Sequence, residues 1–295
     1  HVKRGQKSSS RIVLREFSVT ATEILVLAAV GSHADLEIRI AAGADHPVQE
    51  LCWFLQSLGA DISGIGSATL RIRPAELHQV ATYDLMPDPI EVGTFLCLAG
   101  TAQAEITLRN CAPEFLWFEL ETYKRMGLNF DFINTRKSQN GHYELTDIVV
   151  HKSSALRPIK KLHDMPAPGF LPDLLQPTAV MLTQAQGISL IYDWMYDGRL
   201  KYVEELNKMG ADMKILDPHR VLIVGPTPLY GREITSYDLR AGATLIIASL
   251  VAEGESTIRG IDQIDRGYEN IDERLRNIGA DIQRQKVVSE GTNQL

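Results

Sequence analysis

The chain has 295 residues, of which 44% are hydrophobic, and it carries a formal net charge of -7 with a sequence pI near 5.7. That length suits about two domains, and the apolar content is enough to fill hydrophobic cores. The acidic balance argues against nucleic acid or a membrane surface as a partner, because such partners select a basic face, and an anionic ligand would need a local basic pocket.

In chain order, one pattern recurs four times: an apolar helix, a short strand, a second helix, and a glycine that opens a further strand. The first helices are predicted to begin near Ser18, Glu91, Asp173 and Asp238. The glycines that end the second helices are Gly59, Gly127, Gly210 and Gly279, each suited to a left-handed residue at a helix end. Each unit covers about 40 residues, and this regular spacing predicts repeated modules.

The middle strands of the units are rich in β-branched residues and read LEIRI, AEITL, GISLI and ESTIR. A leading strand such as RIVLREF (11–17) and hairpin partners such as TLRIRP (69–74) and RVLIVGP (220–226) complete a β-α-β-α-β-β module. The last module is predicted to lack its final strand, because VVSEGTNQL at the end reads as a polar tail.

The first helices are apolar nearly all round, as LRAGATLIIASLVAEG (239–254) illustrates, so we expect them inside each lobe with the sheets outside. This pattern predicts an α/β (α+β) fold. Two prolines in DLMPDPIE (84–91) mark the expected junction between lobes. The predicted domains are residues 1–87, with one module, and residues 88–295, with three.

Three arginines lie at or just before predicted helix starts in successive units: Arg199 in YDGRLKY, Arg240 in YDLRAG and Arg266 in QIDRGYE. A helix N-terminus is already positive, so an arginine there calls for negative charge nearby. Salt bridges to the adjacent carboxylates could supply it, from Asp197, Asp238 and Asp265. Guanidinium groups also bind phosphate and carboxylate, so a small polyanion is the alternative, and three arginines in register favour it.

Asp173, in GFLPDLLQP, precedes an apolar run and suits two compatible roles. It could cap a helix by accepting a backbone N–H, or act as a general base. Asp238 has the same position one unit later, where the capping role is favoured. The eight histidines show no paired helical spacing, and neither a phosphate-binding glycine loop nor a dinucleotide fingerprint occurs, so the sequence supports no kinase, zinc enzyme or dehydrogenase.

The three cysteines, Cys52, Cys97 and Cys111, stand singly in apolar surroundings, without the spacing of a metal site or a disulfide framework. We therefore expect a reducing, cytoplasmic location. No segment reaches the ~18 uninterrupted apolar residues of a membrane span, and the opening HVKRGQKSSSR lacks the apolar stretch of a signal peptide. The first residue is not methionine, which is compatible with a fragment of a longer protein.

Residues 236–282, with Asp-Leu-Arg-Ala and Ile-Asp-Arg-Gly-Tyr-Glu, resemble the C-terminal end of the UDP-N-acetylglucosamine 1-carboxyvinyltransferase family, the enolpyruvyl transferases that open peptidoglycan synthesis. Weaker resemblance extends through SVTATE (18–23), PDPIEVGTFL (87–96) and APGFLPDLLQ (167–176). It implies two inside-out α/β barrel lobes, each of three βαβαββ modules around buried helices, with the active site between them. The implied reaction transfers enolpyruvyl from phosphoenolpyruvate to UDP-N-acetylglucosamine and releases phosphate, without metal or other cofactor.

By the same resemblance, Asp173 contacts the sugar hydroxyl and serves as the base, while Arg199, Arg240 and Arg266 hold phosphoenolpyruvate. The catalytic set is thus Asp173, Arg240 and Arg266. The remaining implied substrate contacts are Ser18, Val19, Met195 and Asp238.

The chain departs from the family where Glu16, Pro89 and Ala167 replace a lysine, an arginine and a histidine. The resemblance also implies that two modules of the first lobe are missing, with a Lys-Asn pair and the loop that carries a catalytic cysteine or aspartate. We therefore expect this chain alone to bind phosphoenolpyruvate weakly, without enolpyruvyl transfer. A non-catalytic binding or scaffold protein and a 3-phosphoshikimate 1-carboxyvinyltransferase-like enzyme remain as alternatives.

Overall fold

A computed structural model describes residues 10–79, 82–153 and 155–285, which form eight α-helices and thirteen strands. The first unit contains β1 (Ser10–Val13), α1 (Val19–Ser32), β2 (Leu36–Arg39), α2 (His46–Ser57), β3 (Asp61–Ser63) and β4 (Thr69–Arg73). Its sheet has the order β1-β2-β4-β3, in which β1 and β2 are parallel and the other pairs are antiparallel.

The second unit contains α3 (Pro89–Ala102), β5 (Ile106–Cys111), α4 (Trp117–Met126), β6 (Asn129–Lys137) and β7 (Glu144–His151), with sheet order β5-β7-β6. The third contains β8 (Leu162–His163), α5 (Leu175–Thr183), β9 (Gly187–Tyr192), α6 (Lys201–Lys208), β10 (Asp212–Asp217) and β11 (Arg220–Gly225), with sheet order β10-β11-β9-β8. The fourth contains β12 (Glu233–Thr235), α7 (Leu239–Val251), β13 (Thr257–Arg259) and α8 (Ile271–Asn277), with β12 parallel to β13.

The order helix, strand, helix therefore recurs four times, and the mixed α/β fold is confirmed. Each glycine predicted to end a second helix has a left-handed φ, between 98° and 105°. In the second unit, no strand precedes α3 among the described residues, so the six-element module is incomplete there. The predicted polar tail lies outside the described residues.

Helix starts differ from the predictions in two places. The helix expected to open at Asp173 instead begins at Leu175, and Asp173 belongs to a preceding 3-10 helix, Pro172–Leu174. Arg266 does not precede an α-helix directly: it ends a 3-10 helix, Ile261–Arg266, and α8 begins five residues later. Left-handed Asn270 separates the two segments, so the apolar spacing around Tyr268 does not extend the helix.

Burial of the first helices follows the prediction in three units of the four. Helices α3, α5 and α7 pack against one another and bury most of their residues. Helix α1 contradicts the prediction, because Ile24 and Leu27 are 59% and 49% exposed. It contacts α2, β2 and β4 of its own unit, so its outer face has no helix against it in the described chain.

The buried side chains form two large clusters. One is drawn from residues 26–72 and the other from residues 95–275. A small third cluster of Trp53, Ala112 and Tyr143 connects them, and the Trp53 ring stacks on His142 with a centroid distance of 4.7 Å. The division at residues 87 and 88 stays a prediction, although this clustering agrees with it. No helix of the described chain is long and apolar enough to cross a membrane.

Candidate functional site

Asp173 is the centre of the candidate site, because two of the three predicted arginines bind the same oxygen of its carboxylate. Arg199 Nη1 donates to Asp173 Oδ1 at 3.3 Å, and Arg240 Nε donates to the same atom. All three side chains are only partly exposed. The 3-10 helix that carries Asp173 thus meets the segment before α6 and the first turn of α7.

These partners are not the ones that sequence neighbours suggest. Asp238 caps α7, accepting the N–H groups of Arg240 and Ala241 at 2.8 and 3.0 Å. Asp197 contacts His219, and Asp265 binds Arg284 through two hydrogen bonds. The alternative of a salt bridge from each arginine to its neighbouring aspartate does not occur in the described part of the chain, and the favoured capping role of Asp238 is observed. Asp173 makes no capping hydrogen bond, which excludes the capping role in this structure.

Two guanidinium groups share the carboxylate of Asp173. Burial lowers the pKa of Arg240, but the hydrogen bond and charge of Asp173 outweigh it, so the net shift is upward. The ring of Tyr196 lies under Arg199, 3.7 Å from Cζ, and limits its access to water. Two guanidinium groups side by side in a partly desolvated site can bind a small anion.

Arg266 is exposed and makes no hydrogen bond or ion pair with the described part of the chain. Its segment nevertheless approaches the start of α7, because a Cβ on Gly267 would stand 2.8 Å from Leu239 Cδ2. Tyr268 Oη lies 2.8 Å from Thr94 Oγ1. Burial raises the pKa of this tyrosine, and the charges of Asp88 and Asp173 raise it further. Convergence of Arg266 with Arg240 on one anion stays a prediction.

The remaining predicted contacts lie on two other segments. Ser18 caps α1, accepting the Ala21 N–H at 3.3 Å, and Val19 is the first residue of that helix. Met195 lies in the turn before α6, where its N–H donates to Asp164. No hydrogen bond between described residues joins Ser18, Val19 or Met195 to the Asp173 cluster, so their substrate contacts remain predictions.

Sequence reasoning missed the start of α2, which faces Asp173 from the first unit. Burial lowers the pKa of His46 to about 4, while the charge of Asp173 acts in the opposite direction. Burial, together with the charge of Glu23, raises the pKa of Asp45 to about 6. Pro47, two residues after Asp45, signals a helix start, but only the tertiary structure brings that start close to Asp173.

The described residues contain no group of three or more histidine, cysteine, aspartate or glutamate side chains that could hold a metal ion. All three cysteines are buried, and burial raises the pKa of each thiol to about 12. The described part of the chain thus offers a site for an anion built from arginines, with no reactive thiol beside it.

Residues 1–275 match the EPSP synthase (3-phosphoshikimate 1-carboxyvinyltransferase) family, so the chain belongs to that family of enolpyruvyl transferases. Its similar relatives include the UDP-N-acetylglucosamine 1-carboxyvinyltransferase of Borrelia garinii subsp. bavariensis, 37% identical over 281 residues, which are 94% of this chain and 64% of the relative. The enzyme of the same name from Bacteroides thetaiotaomicron is 38% identical over 278 residues, with 93% and 63% covered.

Among solved structures, the chain is similar to the enolpyruvyl transferase NikO from Streptomyces tendae, with a TM-score of 0.78 and 26% identity over 90% of this chain and 60% of that one. The EPSP synthase of Acinetobacter baumannii has the same fold, with a TM-score of 0.70 and 18% identity over 94% and 64% of the two chains. The chain spans 63–64% of the length of the two curated relatives above.

Proposed function

We propose that the chain binds phosphoenolpyruvate at the Asp173 cluster and serves in enolpyruvyl transfer to UDP-N-acetylglucosamine with release of phosphate. The observation that carries this proposal is the convergence of Arg199 and Arg240 on one oxygen of Asp173. Membership in the enolpyruvyl transferase family and the names of the relatives support it. A place in peptidoglycan precursor synthesis, within the cytoplasm, belongs to the same proposal.

The architecture proposed for this function is a pair of inside-out lobes. Helices α3, α5 and α7 pack on one another in the second lobe, and each buries most of its length. Their N-terminal ends carry or adjoin Asp88, Asp173 and Asp238. Three helix ends of like polarity at one end of a lobe would favour an anion there.

In the proposed mechanism, the phosphate and carboxylate of phosphoenolpyruvate displace Asp173 from its arginines. Arg240 and Arg199 then stabilise the negative charge that builds up as phosphate leaves, and Arg266 adds a third guanidinium. Released from its ion pairs, Asp173 accepts the proton of the sugar hydroxyl while that oxygen bonds to the central carbon of the alkene, and the π electrons of the alkene take up a proton from a general acid at the methylene carbon. Phosphate then leaves the tetrahedral intermediate with the electrons of its C–O bond, and the new methyl group gives up a proton, which restores the double bond. Ser18, Val19, Met195 and Asp238 contact the nucleotide sugar in this proposal.

The test is calorimetric binding of phosphoenolpyruvate to the full chain, for which no phosphate release is expected after addition of UDP-N-acetylglucosamine. Arg240→Gln removes a charged donor and is expected to weaken phosphoenolpyruvate binding by about ten-fold or more. The matched control is Arg259→Gln, in which an exposed arginine of the same unit loses its ion pair with Glu233. Binding that is absent in the wild type, or equally weakened in both variants, would refute the proposal.

A further inference from the structure

Two carboxyl groups lie side by side beneath the turn that carries Arg199. Strands β8 and β9 are parallel with His163 opposite Tyr192, so the next residues along both strands, Asp164 and Asp193, are neighbours. Their exposed fractions are 0% and 2%. Two buried carboxylates in contact cannot both keep their charge at low cost, because no water screens them.

Asp164 holds the turn through three hydrogen bonds. Its two carboxylate oxygens accept the N–H groups of Trp194 and Met195, at 3.0 and 3.3 Å. Its carbonyl oxygen accepts the indole N–H of Trp194 at 2.5 Å. Both oxygens of this side chain therefore face backbone donors.

Asp193 has the opposite environment. Its Oδ1 is buried without a hydrogen-bond partner among the described residues, and its side chain contacts that of Asp164. Burial, followed by the neighbouring Asp164, raises the pKa of Asp193 to about 7, against the opposing effects of Arg199 and His219. Tyr202 of α6 is the other titratable group facing it. A proton on Asp193 can be donated to Asp164.

We propose that Asp164 and Asp193 are positioning residues that hold one proton between them and thereby keep Arg199 at the anion site. Loss of this proton to solvent changes the charge of the pair from one negative charge to two. Arg199 already interacts with both Asp193 and Asp173, so the added charge draws it from Asp173 toward the pair. The turn between residues 194 and 199 then shifts, and the site loses one of its cations.

The first experiment uses Trp194 as a probe of the turn in the ligand-free full chain. Tryptophan emission of the wild type is expected to change with a midpoint near pH 7, the pKa of Asp193. Trp194→Phe must remove the change, which assigns it to this ring rather than to Trp53 or Trp117. Asp193→Asn must also remove it, because the amide still donates to Asp164 but cannot ionise.

His219 is the necessary control, because an ordinary histidine titrates in the same range and its ring contacts the Asp193 carbonyl at 2.7 Å. His219→Gln is expected to keep the emission change. A change that persists in Asp193→Asn, vanishes in His219→Gln, or is absent from the wild type overturns the proposal.

The second experiment tests the link to Arg199 without any ligand. Crystal structures at about pH 6 and about pH 8.5 are expected to show the Arg199–Asp173 contact only at the lower pH in the wild type, and at both in Asp193→Asn. An unchanged contact in the wild type overturns the link.

The identity of the anion rests on the proposed function, and phosphoenolpyruvate binding tests it separately. The wild type is expected to bind about ten-fold more weakly than Asp193→Asn at about pH 8.5, with a smaller difference at about pH 6. If the Trp194 emission changes with pH but the chain binds no phosphoenolpyruvate, the role of the Asp164–Asp193 pair is supported and the proposed function is refuted. Equal affinities of the two proteins at both pH values overturn the role of the pair in binding.

Discussion

At the scale of single residues, Asp173 sets the charge of the site in the ligand-free protein. Its carboxylate occupies Arg199 and Arg240, so the site is partly neutralised before any ligand arrives. An incoming anion must compete with the carboxylate of Asp173. The same carboxylate keeps both arginines ordered in the ligand-free protein. The aspartate should therefore weaken anion binding, although the proposed mechanism also uses it as the proton acceptor.

The Asp173→Asn variant separates these two effects. An amide removes the negative hydrogen-bond partner that the two guanidinium groups share, so we expect phosphoenolpyruvate to bind about two- to ten-fold more tightly. Enolpyruvyl transfer, in any form of the protein that performs it, should fall by about a hundred-fold or more, because asparagine accepts no proton. Calorimetry and phosphate release measure the two quantities.

Asp217→Asn is the control for Asp173→Asn, since Asp217 also pairs with an arginine, at an exposed hairpin. It should change neither quantity by more than about two-fold. Weaker phosphoenolpyruvate binding in Asp173→Asn would show that Asp173 does not compete with the ligand.

Glu119 is a second residue of interest, because its burial should make the stability of the protein depend on pH. It is 1% exposed in α4 and accepts the N–H of Leu171 at 2.5 Å, just before the segment with Asp173. Burial raises the pKa of Glu119 to about 7, although that hydrogen bond lowers it. The native state therefore binds a proton that the unfolded chain releases between pH 4.5, the ordinary value, and about pH 7. The stability should fall as the pH rises through that range.

We expect Glu119→Gln to remove this dependence and to raise the free energy of unfolding above pH 7 by about 2–3 kcal/mol, since the amide oxygen still accepts from Leu171. Urea denaturation at acidic and alkaline pH measures it. Glu121→Gln on the same helix breaks only an exposed ion pair with Arg125 and should change stability by less than about 1 kcal/mol. A variant no more stable than wild type above pH 7 would contradict the raised pKa.

At the scale of elements, α7 shows how one cap serves two purposes. Asp238 satisfies two N–H groups of the first turn, one of which belongs to Arg240. The cap thus fixes the backbone from which the guanidinium reaches Asp173. Asp238 is also a predicted substrate contact, so separate variants are needed to distinguish the cap from that predicted contact.

Asp238→Ala should cost about 1 kcal/mol of stability, whereas Asp238→Asn should cost a few tenths, because asparagine also caps helices. Chemical denaturation gives both values. If Asp238 contacts substrate through its charge, phosphoenolpyruvate or nucleotide-sugar binding will fall in Asp238→Asn at nearly full stability. Equal destabilisation by alanine and asparagine would show that the cap contributes little.

The sequence predicted which helices and strands form better than it predicted the residues at which they begin and end. Local chemistry located the four glycines, because a left-handed residue after a helix favours glycine whatever surrounds it. The start of α5 was misplaced because Pro172 and Asp173 suit a 3-10 helix as well as an α-helix. The pairing of Asp173 with Arg199 and Arg240 spans 26 and 67 residues, and no local signal encodes such a distance.

At the scale of the whole molecule, the two main hydrophobic clusters meet through a narrow contact. Trp53 of α2 stacks on His142 and packs near Phe115 and Tyr143 of the second unit. The first cluster contains fewer buried residues than the second, and α1 leaves one apolar face uncovered. We infer that the first unit unfolds at lower temperature than the other three.

Scanning calorimetry should therefore show two transitions. Trp53→Ala should lower the first by several degrees, because it removes the aromatic contact between the clusters and an almost fully buried ring. Trp117→Ala, which removes a ring that is 56% exposed, should shift neither by more than about two degrees. A single cooperative transition would show that the narrow contact couples the units fully.

The sequence alone also led us to expect every first helix to be buried, and α1 shows why that reasoning was incomplete. An apolar surface on a helix indicates that another element packs on it, but the sequence of that helix does not say which element does so. In the described chain, α3, α5 and α7 pack on one another, whereas α1 has no such pair of helices around it. The start of α2 was missed for a related reason: His46 lies near Asp173 only because two units of the chain meet.

The uncovered face of α1 and the arginines at Asp173 should respond to dissolved salts in opposite directions. Sulfate and similar salts are excluded from apolar surface, so they would drive Ile24 and Leu27 toward contact with any neighbouring molecule. The same ions screen the guanidinium groups and compete for them. A buffer chosen to protect ligand binding would thus also keep the protein dispersed, whereas a salting-out step would promote association while it empties the site.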